Sequence, residues 1–376
     1  MQLRGSKQAV VAGGAVLAAL ALAACSSSSS SSSSSSAPGA TGTSTATSGG
    51  GSTTGASSAS GTINASGSTF QTNFQQAAIQ AFKATNPKIT VNYGGGGSGK
   101  GRTDLAGGTV LFAGSDSKIP ASEEANFKGK TVLYFPVQFG PIAMAYNVSG
   151  VSSLKLDSTV LAGIFQGTIK TWDDPAIKAL NSGVTLPSTP ITLVVRSDSS
   201  GTTANFSQYM VDSAGSAWKL GTAGTLTWPS SAKAANGGSG VAQAIKATDG
   251  AIGYVDDSTA KASGLNAASV KNKSGAFVAP SSAGAAAAAS QVSPSADLTF
   301  SSVDEPGATS YPITYQSWDL VYAEQKSAND AAMLKAYLGY LLGDGQKLLT
   351  QLDLAPLPSS IDSAAVAQLD KITSAS

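Results

Sequence analysis

The sequence predicts an α/β protein of two lobes, with mostly parallel sheets joined by two crossings, and three observations carry that expectation. Short apolar, β-branched runs alternate with stretches of helical periodicity from about residue 61 onward. Two long apolar runs, residues 131–148 and 312–322, read as extended chain passing between lobes. The first of them is interrupted by Pro136, Gly140 and Pro141. Four polar turns rich in Gly, Ser and Thr fall at expected strand ends, where open α/β sheets bind their ligands.

The first sixty residues lie outside that scheme. Arg4 and Lys7 precede an apolar run from Ala9 to Ala24 that is short and rich in small residues. With Leu22, Ala23 and Ala24 before Cys25, it reads as an export signal, residues 1–24. Small residues ahead of a cysteine resemble the bacterial lipobox, so Cys25 is the expected lipidation point and the membrane an expected partner. Cys25 is the only cysteine, which excludes an intramolecular disulfide. Residues 25–61 are almost wholly Ser, Gly, Thr and Ala, with eleven consecutive serines. Such a stretch buries nothing and reads as a flexible tether with a reach of roughly 30–36 Å.

Without Arg4 and Lys7 the chain carries 21 cationic and 22 anionic side chains, a balance that points to no nucleic acid partner. There is no histidine, so histidine triads and the usual histidine-ligated zinc sites are excluded, and no other metal or cofactor motif stands out.

In order along the body, residues 62–65 form a strand and Ser66 to Phe70 a turn. A helix follows with Phe74, Ala77, Ala78, Ala81 and Phe82 on one face, stopped by Asn86 and Pro87, and residues 89–93 form the next strand. Gly94 to Lys100 fits the G-x-x-x-x-G-K part of a phosphate-cradling loop, but Gly101 stands where a metal-holding Ser or Thr is required. The reading kept is that these glycines let backbone approach an anion, with Ser98 offering hydroxyl and amide. Residues 110–114 form a strand ending in Ser115 and Asp116. A carboxylate there would repel a fully deprotonated anion and accept a hydrogen bond from one that keeps a proton. Helices are expected at residues 158–166, after Asp174, and at 283–290, and a buried strand at 251–255. A long helix is expected at 331–349, with Met333, Leu334, Tyr337, Leu341 and Leu342 buried, then a final helix after Pro358.

The octet from Arg196 to Thr203 follows an apolar strand, residues 191–195, and precedes a helix marked by Phe206, Tyr209 and Met210. Ser200 or Thr202 suits its N-cap. Unpaired amides at a helix start, hydroxyl donors and one planar guanidinium together suit a tetrahedral oxyanion.

Six segments then occur in order. They are Gly67 to Phe70, Tyr93 to Ser98, Phe112 to Asp116, Ile169 to Asp174, Arg196 to Thr202 and Ala251 to Val255. Together they resemble the phosphate-binding subunit of bacterial phosphate ABC transporters, from about Ile63 to Pro358. That resemblance implies a two-lobed periplasmic-binding-protein fold of type II, with lobe 1 formed by residues 62–137 and 316–376 and lobe 2 by 138–315. It implies hinge closure over one inorganic phosphate, delivery to membrane permease subunits, an extracytoplasmic monomer, and neither catalysis nor a cofactor. By the same resemblance Thr69 and Phe70 give hydroxyl and amide donors, Ser98 donates, and Asp116 accepts the phosphate proton. Arg196 binds the anion while Asp198 holds the arginine, and Ser200, Gly201 and Thr202 supply donors at a helix start. Ser68 stands where alanine is common and Leu111 where an acidic residue is common. Lys100 and Arg102 are expected to add positive potential near the site.

Two other readings carry different chemistry. A phosphatase-like hydrolase with Ser98 or Ser200 as nucleophile needs an adjacent base or metal, and the chain shows no clustered set of groups for either. A binder of sulfate, molybdate or tungstate would have to tolerate the carboxylate of Asp116.

Overall fold

The computed structural model describes residues 59–375, so the expectations for residues 1–24, for Cys25 and for most of the tether lie outside the described residues. The first half of the body runs β1 (Gly61–Gly67), α1 (Thr72–Thr85), β2 (Ile89–Gly94), α2 (Ser98–Ala106), β3 (Phe112–Ser115), α3 (Ala121–Glu124) and the long β4 (Val132–Asn147). Next come β5 (Lys155–Leu156), α4 (Ser158–Phe165), α5 (Pro175–Leu180), β6 (Thr192–Arg196), α6 (Gly201–Ala214), β7 (Lys233–Ala235), α7 (Gly237–Lys246) and β8 (Ala251–Asp256). The remainder is α8 (Asp257–Ala262), β9 (Asn266–Ala267), β10 (Ser269–Lys271), β11 (Phe277–Val278), α9 (Ser282–Ala289), β12 (Thr314–Tyr322), β13 (Glu324–Gln325), α10 (Ala328–Leu342), α11 (Gln346–Leu349), α12 (Ser359–Gln368) and β14 (Thr373–Ser374).

One sheet threads the body in the order β2-β1-β3-β12-β4-β8-β6-β7, with β9 added to β4. The two apolar runs expected to cross between lobes are β4 and β12, and they pair antiparallel from Thr314 opposite Pro141 to Tyr322 opposite Val132. Beyond Pro141 the same strand β4 turns to β8, Ile142 opposite Asp256 to Asn147 opposite Ala251. Within each half the outer strands are parallel: β1 with β2 and β3, β6 with β7 and β8. The carboxyl ends of β1, β2, β3 and β6 therefore deliver the polar turns expected from the sequence. β4 is buried along almost its whole length because it has strands on both edges and helices against it.

The expected helix over 331–349 is instead two helices. The Gly343, Asp344 and Gly345 segment separates α10 from α11, and an added Cβ on Gly345 would lie 2.8 Å from the Leu341 Cα. Glycine frees the chain to turn back against α10 there, where any side chain would obstruct it. The expected buried face holds, since Met333, Leu334, Tyr337, Leu341 and Leu342 are all buried. Ala77 and Ala81 of α1 are only half-buried, and Gln75 takes a core position beside Phe74, Ala78 and Phe82.

Gln75 is there because the core holds a carboxyl. Asp319 on β12 is fully buried and receives Gln75 Nε2 at 3.2 and 3.4 Å. Burial pushes this carboxyl up to about 8, against the lowering effect of Gln75 and Gln71. The native state thus holds a proton that the unfolded chain releases, and stability falls as pH rises from the ordinary carboxylate range to about 8. Asp319→Asn is expected to flatten that decline, so that the variant gains on the parent in melting temperature above pH 7 and matches it near pH 4. Parallel melting curves across that range would remove the claim.

Candidate functional site

The site is assembled from four helix starts and four strand ends. β1 ends at Gly67, whose φ is +139° and whose added Cβ would run into the Gly114 carbonyl of β3. Only glycine lets the two strands meet so closely here, and the turn that follows swings Ser68, Thr69 and Phe70 over the end of the sheet. The Ser68 hydroxyl, fully buried, reaches Asp116 Oδ2 at 2.8 Å and accepts from the Phe70 amide at 3.1 Å. Phe70 lays its ring on Tyr315 at a 4.1 Å centroid distance. Thr69 faces the start of α7, where an added Cβ on Gly237 would lie 3.6 Å from Thr69 Cγ2.

Ser98 opens α2 after the glycine loop. Its Oγ accepts from the Asp116 amide at 3.1 Å and lies 3.3 Å from Asp116 Oδ2. Because the amide holds the oxygen, the hydroxyl proton can turn from the carboxylate to a ligand. Lys100 lies along the loop and pairs with Asp104 at 2.5 Å, and Arg102 is locked to Glu123 at 2.7 Å and to Ser115 and Ser117. The expected positive potential from these two cations is a correction: each is matched by its own carboxylate, so neither adds a free charge at the site.

From the other half, β6 ends in Arg196, buried to 5% exposure. Its Nε donates to Asp198 Oδ1 at 2.8 Å, a second nitrogen pairs with Asp198 Oδ2, and Nη1 lies 3.5 Å from Thr202 Oγ1. Asp198 in turn accepts from the Gly237 amide at 3.0 Å. Burial opposes the charge on Arg196, and Asp198 more than offsets it, holding the guanidinium cationic. The expected cap is Ser200: its Oγ accepts from the Thr203 amide at 3.3 Å, which leaves its proton for a ligand. Gly201 follows against the opposite half, and an added Cβ would lie 2.5 Å from both Asp116 Cβ and Ser98 Oγ. The Gly99 amide donates to Ser199 O at 3.1 Å, so the two sides touch directly.

Every ligand-type residue expected from the sequence, Thr69, Phe70, Ser98, Asp116, Arg196, Ser200, Gly201 and Thr202, stands in this one ring, with Ser68 and Asp198 behind it. The sequence reading missed others. Tyr254 accepts from the Arg196 amide at 3.2 Å and bonds Thr203 Oγ1 at 2.8 Å, although its place inside the apolar strand of residues 251–255 marks it only as core. Asn205 Nδ2 and Gln316 Nε2 reach the Asp116 carbonyl at 2.6 and 3.1 Å. Both line a cavity of about 720 Å³ shared with Arg102, Ser117 and Trp318. Tyr315 is fully buried, with its hydroxyl beside Thr202. Ser317 Oγ donates to Asp116 Oδ1 at 2.5 Å. The one signal for Gln316 and Ser317 was the set of polar residues, Thr314, Gln316, Ser317 and Asp319, inside a run that is otherwise apolar and aromatic.

A buried guanidinium, three helix-start hydroxyls and a buried acceptor carboxylate form a site for a compact oxyanion that retains a proton. Burial pushes the Asp116 carboxyl up to about 6, against the donors Ser317, Ser68 and Ser98 and the charge of Arg196. The carboxylate thus accepts at neutral pH and stops accepting as pH falls through about 6. Gly201→Ala is expected to block approach of the two sides and to weaken anion binding by about 5-fold to 150-fold, as a backbone shift of order 1–3 kcal/mol implies. Unchanged affinity would show that the site closes elsewhere.

A two-lobed solute-binding protein is the class that this fold and this site define. The family model described as PBP superfamily domain matches residues 52–344. Phosphate-binding protein PstS 3 of Mycobacterium leprae is 37% identical over 314 residues, covering 80% of this chain and 84% of that protein. Phosphate-binding protein PstS 2 of Mycobacterium tuberculosis is 34% identical over 349 residues, covering 89% and 94%. Among solved structures, a high-affinity periplasmic phosphate-binding protein with phosphate bound is 25% identical at a TM-score of 0.68, covering 82% of this chain and 94% of that one. A phosphate-binding protein from Stenotrophomonas maltophilia shares the fold at a TM-score of 0.67 and 19% identity, covering 82% and 94%. The chain belongs to the PstS phosphate-binding proteins of the PBP superfamily.

Proposed function

We propose that this protein binds inorganic phosphate between lobe 1 (residues 62–137 and 316–376) and lobe 2 (138–315) and releases it to the permease of an ABC importer, without catalysis. The observation that carries the reading is the pairing of buried Arg196 with buried Asp116 in one ring of donors, which asks for an anion with a proton to give. In the bound complex Arg196 forms charged hydrogen bonds to two phosphate oxygens. Ser98, Ser200 and Thr202 turn their hydroxyls to the anion, the amides of Thr69, Gly201 and Thr202 complete the shell, and the Phe70 amide joins it by turning from Ser68 Oγ. The crossings β4 and β12 serve as the hinge. Calorimetric titration at pH 7–8, after unfolding and refolding to strip carried-over anion, tests the reading: one-to-one phosphate binding with no sulfate heat is expected. Equal sulfate binding would overturn it.

The same proposal places the protein outside the cytoplasmic membrane as a monomer held by lipid on Cys25. No helix among the described residues is long and apolar enough to cross a membrane, and the export signal and serine-rich tether support an anchor of this kind. Cys25→Ala is expected to move the protein from the membrane fraction to the soluble exported fraction. Retention on membranes would end the anchor reading.

A further inference from the structure

Asp116 is held from behind by a hydrogen-bond chain whose direction is forced. Gln71, fully buried in the turn before α1, places its Nε2 3.0 Å from the Trp318 carbonyl and 2.8 Å from Ser317 Oγ. A backbone carbonyl only accepts, so the atom facing it is the amide nitrogen, and Ser317 Oγ therefore also accepts from Gln71. Gln71 Oε1 is occupied in turn by Gln75 Nε2 at 3.0 Å, and Gln75 Oε1 takes the Tyr337 hydroxyl at 2.6 Å. With its lone pair engaged by Gln71, the Ser317 hydroxyl has one proton to give, and it points at Asp116 Oδ1, 2.5 Å away. One lone pair of Oδ1 is thereby taken by Ser317, while Oδ2 carries Ser68 at 2.8 Å and lies 3.3 Å from Ser98, so donors on both oxygens fix the carboxylate in place.

We propose that Ser317, oriented by Gln71, is a positioning residue whose donation to Oδ1 keeps Asp116 an acceptor and fixes the orientation in which its carboxylate meets the anion. This deepens the phosphate reading and rests on it for the identity of the anion. It does not rest on it for the Ser317–Asp116 contact. The ionisable groups facing Asp116 are Arg196 from the end of β6, Tyr93 from β2 and Tyr315 from β12. Burial raises both phenols, which stay neutral in the relevant range, so Arg196 is the one opposing charge and the serine donors carry the rest. A hydrogen bond to a charged group of this kind is expected to hold the Asp116 titration about one to two pH units lower than it would otherwise be.

The test uses the full chain labelled with ¹³C at aspartate carboxyls, with Ser317→Ala removing the donor and Ser317→Thr restoring it. In phosphate-free protein, the Asp116 carboxyl carbon is expected to titrate about one to two pH units higher in Ser317→Ala than in the parent, and near the parent value in Ser317→Thr. Phosphate affinity measured from pH 5 to 8 should then fall off at correspondingly higher pH in Ser317→Ala alone. The anion's own titration is common to all variants and cancels in the comparison. A side chain that merely fills space would lower the melting temperature and move neither profile. If Ser317→Ala does not fold, Ser317→Cys keeps the volume with a weaker donor and is expected to shift the midpoint in the same direction by less. An unmoved Asp116 midpoint in a folded donor-weakened variant overturns the inference. A moved midpoint in a protein that binds no phosphate supports the Ser317 contact and overturns the phosphate reading instead.

Discussion

Arg196→Ala should lower phosphate affinity by roughly 30-fold to several thousand-fold, the equivalent of about 2–5 kcal/mol for truncating one member of a buried charged pair. The size follows from placement. The guanidinium is nearly inaccessible to water and is fixed on its outer edge by Asp198, which itself is tied to the start of α7. No rotamer search remains before it meets the anion, so little ordering entropy is lost on binding. No second cation can take its place. Lys100 is matched by Asp104 and Arg102 by Glu123, each on its own side of the fold. Arg196→Lys should recover only part of the loss, since a point charge cannot reproduce a planar fork that grips Asp198 and the anion at once. Calorimetry with the alanine and lysine variants checks both statements, and a loss below threefold in the alanine variant would show that the helix starts, not the guanidinium, carry the affinity.

Asp116→Asn should reduce the preference for phosphate over sulfate by at least about 100-fold. A site built to pair a ligand proton can reject the analogue lacking it by about 10⁴-fold or more, because a buried acceptor then faces an oxyanion with nothing between them. Asp116 is such an acceptor: it is 2% exposed, Oδ1 is held by Ser317, and Oδ2 is turned to the ring of donors. Asparagine keeps the shape, removes the repulsion and offers an N–H to sulfate. Phosphate binding by the variant should also lose the decline that accompanies protonation of Asp116 near pH 6. Paired titrations with the two anions read the ratio, and an unchanged ratio would mean that selectivity is set by something other than this carboxylate.

Much of the site was legible because it is made of strand-to-helix turns, which are local. Gly67 to Phe70, Gly97 and Ser98, and Arg196 to Thr202 each announce themselves by glycine, hydroxyl and periodicity within ten residues, and each turn does end a strand and open a helix. The break between α10 and α11 is signalled only by Gly343 and Gly345, and the apolar periodicity that continues on either side of them masks it. Strands of two or three residues, β5, β7, β9 to β11, β13 and β14, left no pattern to read, because at that length alternation cannot be told from chance.

By itself, then, the sequence determined the alternation of strand and helix, the two long crossing runs, the polar turns and the residue types that meet an oxyanion. Each of these is written in spacing over a few residues. Only the tertiary structure decided which groups stand behind the ring. Ser317 reaches Asp116 across 201 positions and Gln71 reaches Ser317 across 246. That pairing depends on β12 returning between β3 and β4, an outcome of sheet order that no local pattern encodes. The same holds for charge. Lys100 and Arg102 look like ligand-directed cations in one dimension, and the fold turns both onto their own carboxylates, while Arg196 is the buried cation placed at the start of α6.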